Sequence, residues 1–163
     1  MGRLKALFLD RDGVINIDHG YVGSIEDFQF VEGVLPMIRL AQEAGYLPII
    51  VTNQSGIGRG YYSREDFEKV TRFMIEKMRE AGIEMNREQV FFCPHTPDEG
   101  CACRKPRPGM LLEAKERFGL DMEASWMIGD KAGDIEAARA AGVGRRVLVQ
   151  PNQALNWKEL NGF

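Results

Sequence analysis

Cysteine is scarce in this chain: three in 163 residues, at Cys93, Cys101 and Cys103. An odd number crowded into one short stretch does not make a disulfide framework, and it suits a reducing cytosol. Long apolar runs are missing as well. No stretch reaches the roughly 20 residues that span a bilayer. The opening MGRLKALFLD meets an acid too early for an export segment. A basic excess is also lacking. The formal net charge is -3, which gives no support for a broad nucleic-acid surface. There is no internal repeat, low-complexity tract or linker. The chain therefore reads as one cytoplasmic domain over residues 1–163, a monomer with neither a membrane nor a nucleic-acid partner. It is long enough to bury a sizeable core without covalent staples.

What is present is an alternation of apolar runs and helical patterns. Ala6–Asp10 reads as a buried strand ending in an acid, and Val34–Ala44 as a helix stopped near Gly45. Leu47–Thr52 is a second strand, rich in β-branched residues. Ser63 opens the longest helix, with Ser63 and Asp66 resembling a capping box. Phe67, Val70, Met74, Met78 and Ala81 give that helix one apolar face. Gln89–Cys93 is a third strand, and Pro108 suits the first turn of the next helix. Ser125–Gly129 is a fourth strand, an Ala-rich helix follows through Ala141, and Arg146–Val149 is a fifth strand. Residues 152–163 read as a loosely docked tail. Such repeated strand–helix alternation implies α/β architecture: a mostly parallel sheet covered on both faces.

In such sheets ligands bind beyond the carboxyl ends of the strands. Four features fall there. Asp10 and Asp12 follow the first strand, and Thr52 and Asn53 follow the second. Lys105 lies between the third strand and its helix. Asp130 and Asp134 follow the fourth. Residues two apart along a strand point to the same side, so Asp10 and Asp12 can converge while Arg11 turns away. Convergent carboxylates repel unless a cation or proton intervenes. Hard oxygen donors at a phosphate site favour Mg²⁺, with Asp10, Asp12 and Asp130 as its protein ligands. Taken singly, each acid reads better as a turn residue or helix cap. Their joint occurrence, in this order and at strand ends, favours a site.

A second constellation lies in CPHTPDEGCACRKP. Cys93, His95, Cys101 and Cys103 form C-x-H-x5-C-x-C within one short stretch. Three thiolates and an imidazole make a closed tetrahedral Zn²⁺ site, structural because no position is left for water. The loop leads directly into Arg104 and Lys105, so zinc would fix two cationic side chains.

The four features, in order, resemble the haloacid dehalogenase-like phosphohydrolase superfamily. Asp10–Val14 matches its DxDG(V/T) motif, Thr52 its threonine, Lys105 its lysine, and Gly129–Asp134 its GDxxxD motif. The resemblance covers nearly the whole chain. It implies a Rossmann-like three-layer α/β/α fold with the nucleophile strand central. It also implies a Mg²⁺-dependent phosphatase in which Asp10 attacks phosphorus and Asp12 protonates the leaving oxygen, then activates water. Thr52 and nearby amides would hold the phosphoryl oxygens. Lys105 would balance charge, Asp130 would bind metal and Asp134 would support it.

Two zinc-loop groups of that superfamily fit, one acting on a heptose 1,7-bisphosphate and one on histidinol phosphate. DRDGVIN followed by DHGYV, TNQSGIGRG, RKPRPGMLLEA and GDKAGDIEAA resemble the heptose group. The histidinol group typically has Asp at the position of Ser55. The resemblance assigns contacts with a small phosphorylated sugar to Asp18, His19, Gly20, Tyr21, Thr52, Asn53, Gln54, Ser55, Arg104, Lys105 and Lys131. The spacings between the motifs are too short to hold a separate cap domain of about fifty residues or more. A non-catalytic zinc-stabilised binding module on the same fold is the reading from a different class. The intact set of Asp10, Asp12, Thr52, Lys105 and Asp130 favours catalysis over it.

Overall fold

A computed structural model describes residues 3–156. Strand β1 (Lys5–Leu9) leads to helix α1 (Val34–Glu43), and strand β2 (Tyr46–Asn53) follows. A single helical turn, α2 (Ser55–Gly58), precedes the long α3 (Arg64–Glu80). The chain continues through β3 (Val90–Cys93), α4 (Gly109–Phe118), β4 (Trp126–Gly129), α5 (Ala132–Ala140) and β5 (Arg145–Leu148). The sheet order is β3-β2-β1-β4-β5, and every strand pair is parallel. Strand β1, which leads into Asp10, is therefore central, as the family resemblance implies of the nucleophile strand. Successive strands run from β1 outward to β3, then cross back to β4. The carboxyl end of β1 thus lies at the point where the winding reverses, the place where open α/β sheets leave a crevice.

Both faces of the sheet are covered, and the strand period shows how. Leu7 and Leu9 of β1 join Ile50 and Ile128 against Met37 and Ile38 of α1 and Phe67, Val70 and Met74 of α3. Ala6 and Phe8 point the other way, with Ile49, Val51 and Met127, against Met110, Leu111 and Ala114 of α4 and Ala137 and Ala138 of α5. A strand buried on both sides has no position for a polar residue, which is why β1 reads as a continuous apolar run. The start of α3 is fixed as its sequence implies. Ser63 Oγ accepts from the Asp66 amide at 3.0 Å, and Asp66 Oδ2 accepts from the Ser63 amide at 2.9 Å. Loss of such a cap typically costs about 1 kcal/mol.

One expectation needs correction, and one element is new. The glycine-containing stretch Ser55–Gly58, to which the sequence assigns no element, forms a helical turn in which the Arg59 amide donates to the Ser55 carbonyl at 2.9 Å. The tail is not loose at its beginning. The Asn152 amide donates to the Gly13 carbonyl at 2.9 Å, its side chain brackets the Asp18 backbone, and Leu155 is buried in the core. Residues 157–163, the rest of that expectation, lie outside the described residues. No described segment between the strands forms a separate cap, and no described helix is long and apolar enough to cross a membrane.

Candidate active site

Asp10 stands one residue beyond β1, and its amide still donates to the Ile128 carbonyl of β4 at 3.2 Å. The sheet ladder thus places its carboxylate at the crevice. Asp10 Oδ1 accepts from the Arg11 amide at 2.9 Å and from Lys105 Nζ at 3.0 Å. Lys105 Nζ also donates to Asp134 Oδ1 at 2.6 Å and to the Val51 carbonyl at 2.8 Å. Three donors thereby meet three acceptors, which is what a buried ammonium requires. The backbone of Lys105 is gripped in turn by Asn53, whose Oδ1 accepts from its amide at 3.0 Å and whose Nδ2 donates to its carbonyl at 3.2 Å. The Asn53 amide thus serves Lys105.

The electrostatics follow from counting charges. Burial opposes the charge on Lys105, but Asp10 and Asp134 outweigh it and hold its pKa above the ordinary value. Asp10 does not share in that benefit. Burial is the largest influence and raises its pKa to about 7. Lys105 lowers it, and Asp134, Asp12 and Asp130 push it up. One ammonium is insufficient for the acids gathered here.

Carboxylate oxygens of Asp10, Asp130 and Asp134 lie within 4.8 Å of one another. Asp130 Oδ1 is buried and has no hydrogen-bond partner among the described residues. Gly13, at φ 91°, lets Asp130 approach: a Cβ there would meet Asp130 Oδ2 at 2.3 Å. A buried acidic cluster with an unsatisfied oxygen fits a small hard cation such as Mg²⁺.

Asp12 is not in that cluster. Its Oδ1 accepts from Arg11 Nε and Nη2 at 3.1 and 2.8 Å and from Asn16 Nδ2 at 2.9 Å. Its Oδ2 accepts from Gln54 Nε2 at 3.1 Å. These bonds engage the carboxylate apart from the cluster of Asp10, Asp130 and Asp134. The alternation of side chains along an extended chain implies that Arg11 turns away from the acids. The residue does turn inward, its guanidinium 5.9 Å from the Phe28 and Phe67 rings, but it curls back to hold Asp12. Arg11 and Asn16 are contributors the motif did not reveal. Their only sequence signal is adjacency to Asp12.

Around these groups lies a crevice of about 350 Å³. Asp18, Gly20, Tyr21, Asn53, Gln54, Ser55, Arg104, Lys105 and Lys131 all line it, together with Asp10, Asp12 and Asp134. Two expected contacts do not reach its wall. His19 Nε2 pairs with the Asp27 carbonyl at 2.9 Å and steadies its own loop. Thr52 is fully buried beneath the wall, and its Oγ1 accepts from Gln54 Nε2 at 2.9 Å. Tyr62 lines the crevice without having been singled out.

Beside the crevice, Cys93, His95, Cys101 and Cys103 converge. Cys93 Sγ is 3.3 Å from His95 Nδ1, 3.5 Å from Cys101 Sγ and 2.8 Å from Cys103 Sγ. The three cysteines form no disulfide. Burial is the main reason that the Cys93 thiol is pushed above its ordinary range. Ligand atoms around tetrahedral Zn²⁺ at about 2.3 Å stand somewhat under 4 Å apart, so a modest expansion of this cluster fits the ion.

An all-parallel sheet with an acid pair after its central strand, a buried lysine and a GDxxxD acid cluster define a class, the haloacid dehalogenase-like hydrolases. Residues 102–153 match the family described as HAD-hyrolase-like. The chain belongs to this superfamily. It is 47% identical over 154 residues to D-glycero-beta-D-manno-heptose-1,7-bisphosphate 7-phosphatase of Yersinia pestis, covering 90% of this chain and 81% of the relative. It is 46% identical over 153 residues to the protein of the same name from Helicobacter pylori strain 26695, covering 93% and 87%. A crystal structure of D,D-heptose 1.7-bisphosphate phosphatase from B. bronchiseptica, complexed with magnesium and phosphate, superposes with a TM-score of 0.84 at 33% identity, covering 91% of this chain and 83% of that one.

Proposed function

We propose that this chain is a Mg²⁺-dependent phosphatase that removes the 7-phosphate of D-glycero-D-manno-heptose 1,7-bisphosphate through an aspartyl-phosphate on Asp10. The observation that carries this is the pairing of a nucleophile-ready carboxylate with a separately held proton carrier. Asp10 is pinned through Oδ1 by Lys105 and the Arg11 amide, which leaves Oδ2 to attack. Asp12 is pinned chiefly through Oδ1, by Arg11 and Asn16, which leaves Oδ2 to carry a proton.

In the first step Asp10 Oδ2 bonds to phosphorus, the bond from phosphorus to the sugar oxygen breaks, and Asp12 protonates that oxygen. In the second, Asp12 takes a proton from water, the water oxygen bonds to phosphorus, and Asp10 leaves as a carboxylate. Lys105 stabilises charge on the transferring group, and Thr52, buried beneath the wall, braces Gln54 behind it. Mg²⁺ held by Asp10 and Asp130, with Asp134 beside them, would offset the repulsion between carboxylates and phosphate. The chain works on this reading as a single cytoplasmic domain and a monomer.

Substrate choice is carried by the rim. A bisphosphate offers a second anionic group that must be held away from Asp10. Besides Lys105, Arg104 and Lys131 are the cations on the wall, and a guanidinium can grip phosphate through two parallel hydrogen bonds. Ser55 and the loop at Asp18–Tyr21 offer partners for sugar hydroxyls. Arg104→Ala should lower kcat/KM for the heptose bisphosphate by about 10–100-fold, the worth of a charged hydrogen-bond pair. It should change kcat/KM for p-nitrophenyl phosphate by less than about threefold. If histidinol phosphate proves the best substrate, or if the substitution lowers all three substrates alike, the heptose assignment fails and the phosphatase reading stands.

The cysteine cluster is the second part of the proposal. Zn²⁺ there would be structural, tying the loop to Arg104, whose Nη1 lies 3.4 Å from the His95 carbonyl. Protein purified without added metal should contain about one zinc per chain by elemental analysis. Cys101→Ser should lose the zinc and weaken use of the bisphosphate. Purified protein free of zinc, with a Cys101→Ser variant of normal activity and melting temperature, would show the cluster to be no metal site.

A further inference from the structure

We infer that Tyr62 is a positioning residue, whose hydroxyl fixes the orientation of the Gln54 amide and through it sets both Thr52 and Asp12. The inference rests on the reading above for the role of Asp12. The Tyr62 hydroxyl donates to Gln54 Oε1. An amide has one acceptor and one donor end, so its nitrogen must then face the other way. There it donates to Thr52 Oγ1 at 2.9 Å and to Asp12 Oδ2 at 3.1 Å. Thr52 Oγ1, buried beneath the crevice wall, thereby accepts from Gln54, and its own proton goes to the Asn53 carbonyl at 3.4 Å.

A reversed amide would set its oxygen against Asp12 Oδ2 and take the Thr52 proton from the Asn53 carbonyl. Asp12 does not prevent this throughout the reaction. It must give and take a proton on Oδ2, so it presents that oxygen as a donor in one half-reaction and as an acceptor in the other. A fixed hydroxyl on the opposite end of the amide is independent of that exchange. Burial raises the Tyr62 pKa to about 12, with Arg11 lowering it and Asp12 and Tyr21 raising it. The hydroxyl therefore stays a donor across the neutral range.

The ring is itself fixed with unusual closeness. A Cβ on Gly23 would meet the Tyr62 ring at 2.5 Å, and one on Gly56 would meet it at 2.3 Å. Glycine at these two positions lets the ring lie between the loop before α1 and the turn α2. Gln54 is equally confined: it is buried, and its backbone amide donates to the Cys93 carbonyl at 2.7 Å. The main chain that carries the Gln54 side chain is thus fixed, and the Tyr62 ring is closely packed, as a positioning device requires.

Tyr62→Phe keeps the ring and removes only the hydroxyl. It should lower kcat about tenfold on both p-nitrophenyl phosphate and the heptose bisphosphate, leaving KM within about twofold. In a Gln54→Met background the same change should have no further effect, because the residue through which it acts is gone. Additive losses would assign Tyr62 a role independent of Gln54 and overturn the inference. A rise in KM for the bisphosphate alone would make Tyr62 a sugar contact and overturn it equally. A second readout does not depend on catalysis. The Gln54 side-chain NH₂ resonances, identified by their loss in Gln54→Met, should shift or broaden in Tyr62→Phe with the fold unchanged. Unaltered resonances would sink the inference whatever the activity. A wild-type protein that releases no phosphate while those resonances do move would instead overturn the functional reading and leave the orientation by Tyr62 standing.

Discussion

Asp10→Asn is expected to abolish phosphate release, by on the order of 10⁴-fold or more, as removal of a nucleophile does elsewhere, while leaving the fold intact. The amide is nearly isosteric, but its oxygen is a poor nucleophile and a weaker ligand for Mg²⁺. The structural expectation follows from charge. In the metal-free protein burial holds the Asp10 pKa near 7, above its unfolded value near 3.8. Between those values the folded state keeps a proton that the unfolded chain gives up. The contribution to stability is therefore complete below about pH 4 and is lost as pH rises through 7. Asn has no such charge, so metal-free Asp10→Asn should lose less stability than wild type between pH 5 and pH 8. Lys105 is not stranded by the change, because Asp134 remains at 2.6 Å. Added Mg²⁺ should raise the melting temperature of wild type and do so less for the variant, since only binding to the folded state stabilises. Near-normal turnover by Asp10→Asn rules out the covalent route.

The elements that carry this site were legible because their signals are local. The apolar run before Asp10, the β-branched run before Thr52 and the run before Asp130 place the sheet ends to within about a residue, inside the ordinary scatter of boundaries. The capping pair Ser63 and Asp66 places the start of α3. The cysteine cluster was legible for the same reason: its four members lie close in sequence as well as in space.

What stayed hidden depends on distant pairings. Asn152 reaches Asp18 across 134 residues, and no periodicity announces that. The glycines of Ser55–Gly58 spoke for a loop by intrinsic preference, but the turn is braced by the Gly58 amide bonding to the Pro94 carbonyl at 3.0 Å. Tertiary context overrode propensity there. Tyr62 was invisible because a lone aromatic beside an exposed turn ordinarily needs no explanation. Its meaning comes from Gly23 and Gly56, both of which lie hard against the ring. His19 and Asn53 illustrate the complementary limit. A motif brings a residue to the site without saying whether its side chain faces the ligand or braces a neighbour.

Asp12→Asn should slow both half-reactions, by about 10²–10⁴-fold, the usual worth of a general acid–base group, and it should differ from Asp10→Asn in stability. Arg11 is buried at 1% exposure and has Asp12 as its anion. The neutral amide can still accept at Oδ1, but it leaves that guanidinium with only dipoles, the Val22 carbonyl at 2.7 Å among them. The opposite end fares worse. An Asn NH₂ would face Gln54 Nε2 across the present 3.1 Å contact, donor against donor, unless Gln54 reverses and forfeits its bond from Tyr62. A buried mismatch of this kind costs about 1–3 kcal/mol, so the melting temperature should fall where that of Asp10→Asn does not. Kinetically the two steps separate by leaving group. p-Nitrophenolate needs little protonation, so the variant should still form the phospho-enzyme from that ester. Hydrolysis needs Asp12 as a base, so the intermediate should accumulate and be trapped by acid quenching. With the sugar ester, formation itself should be slow and less should accumulate. Wild-type rates in both steps, or equal phospho-enzyme levels from the two esters, would remove Asp12 from the proton path and leave its bonds to Arg11 and Gln54 as its whole role.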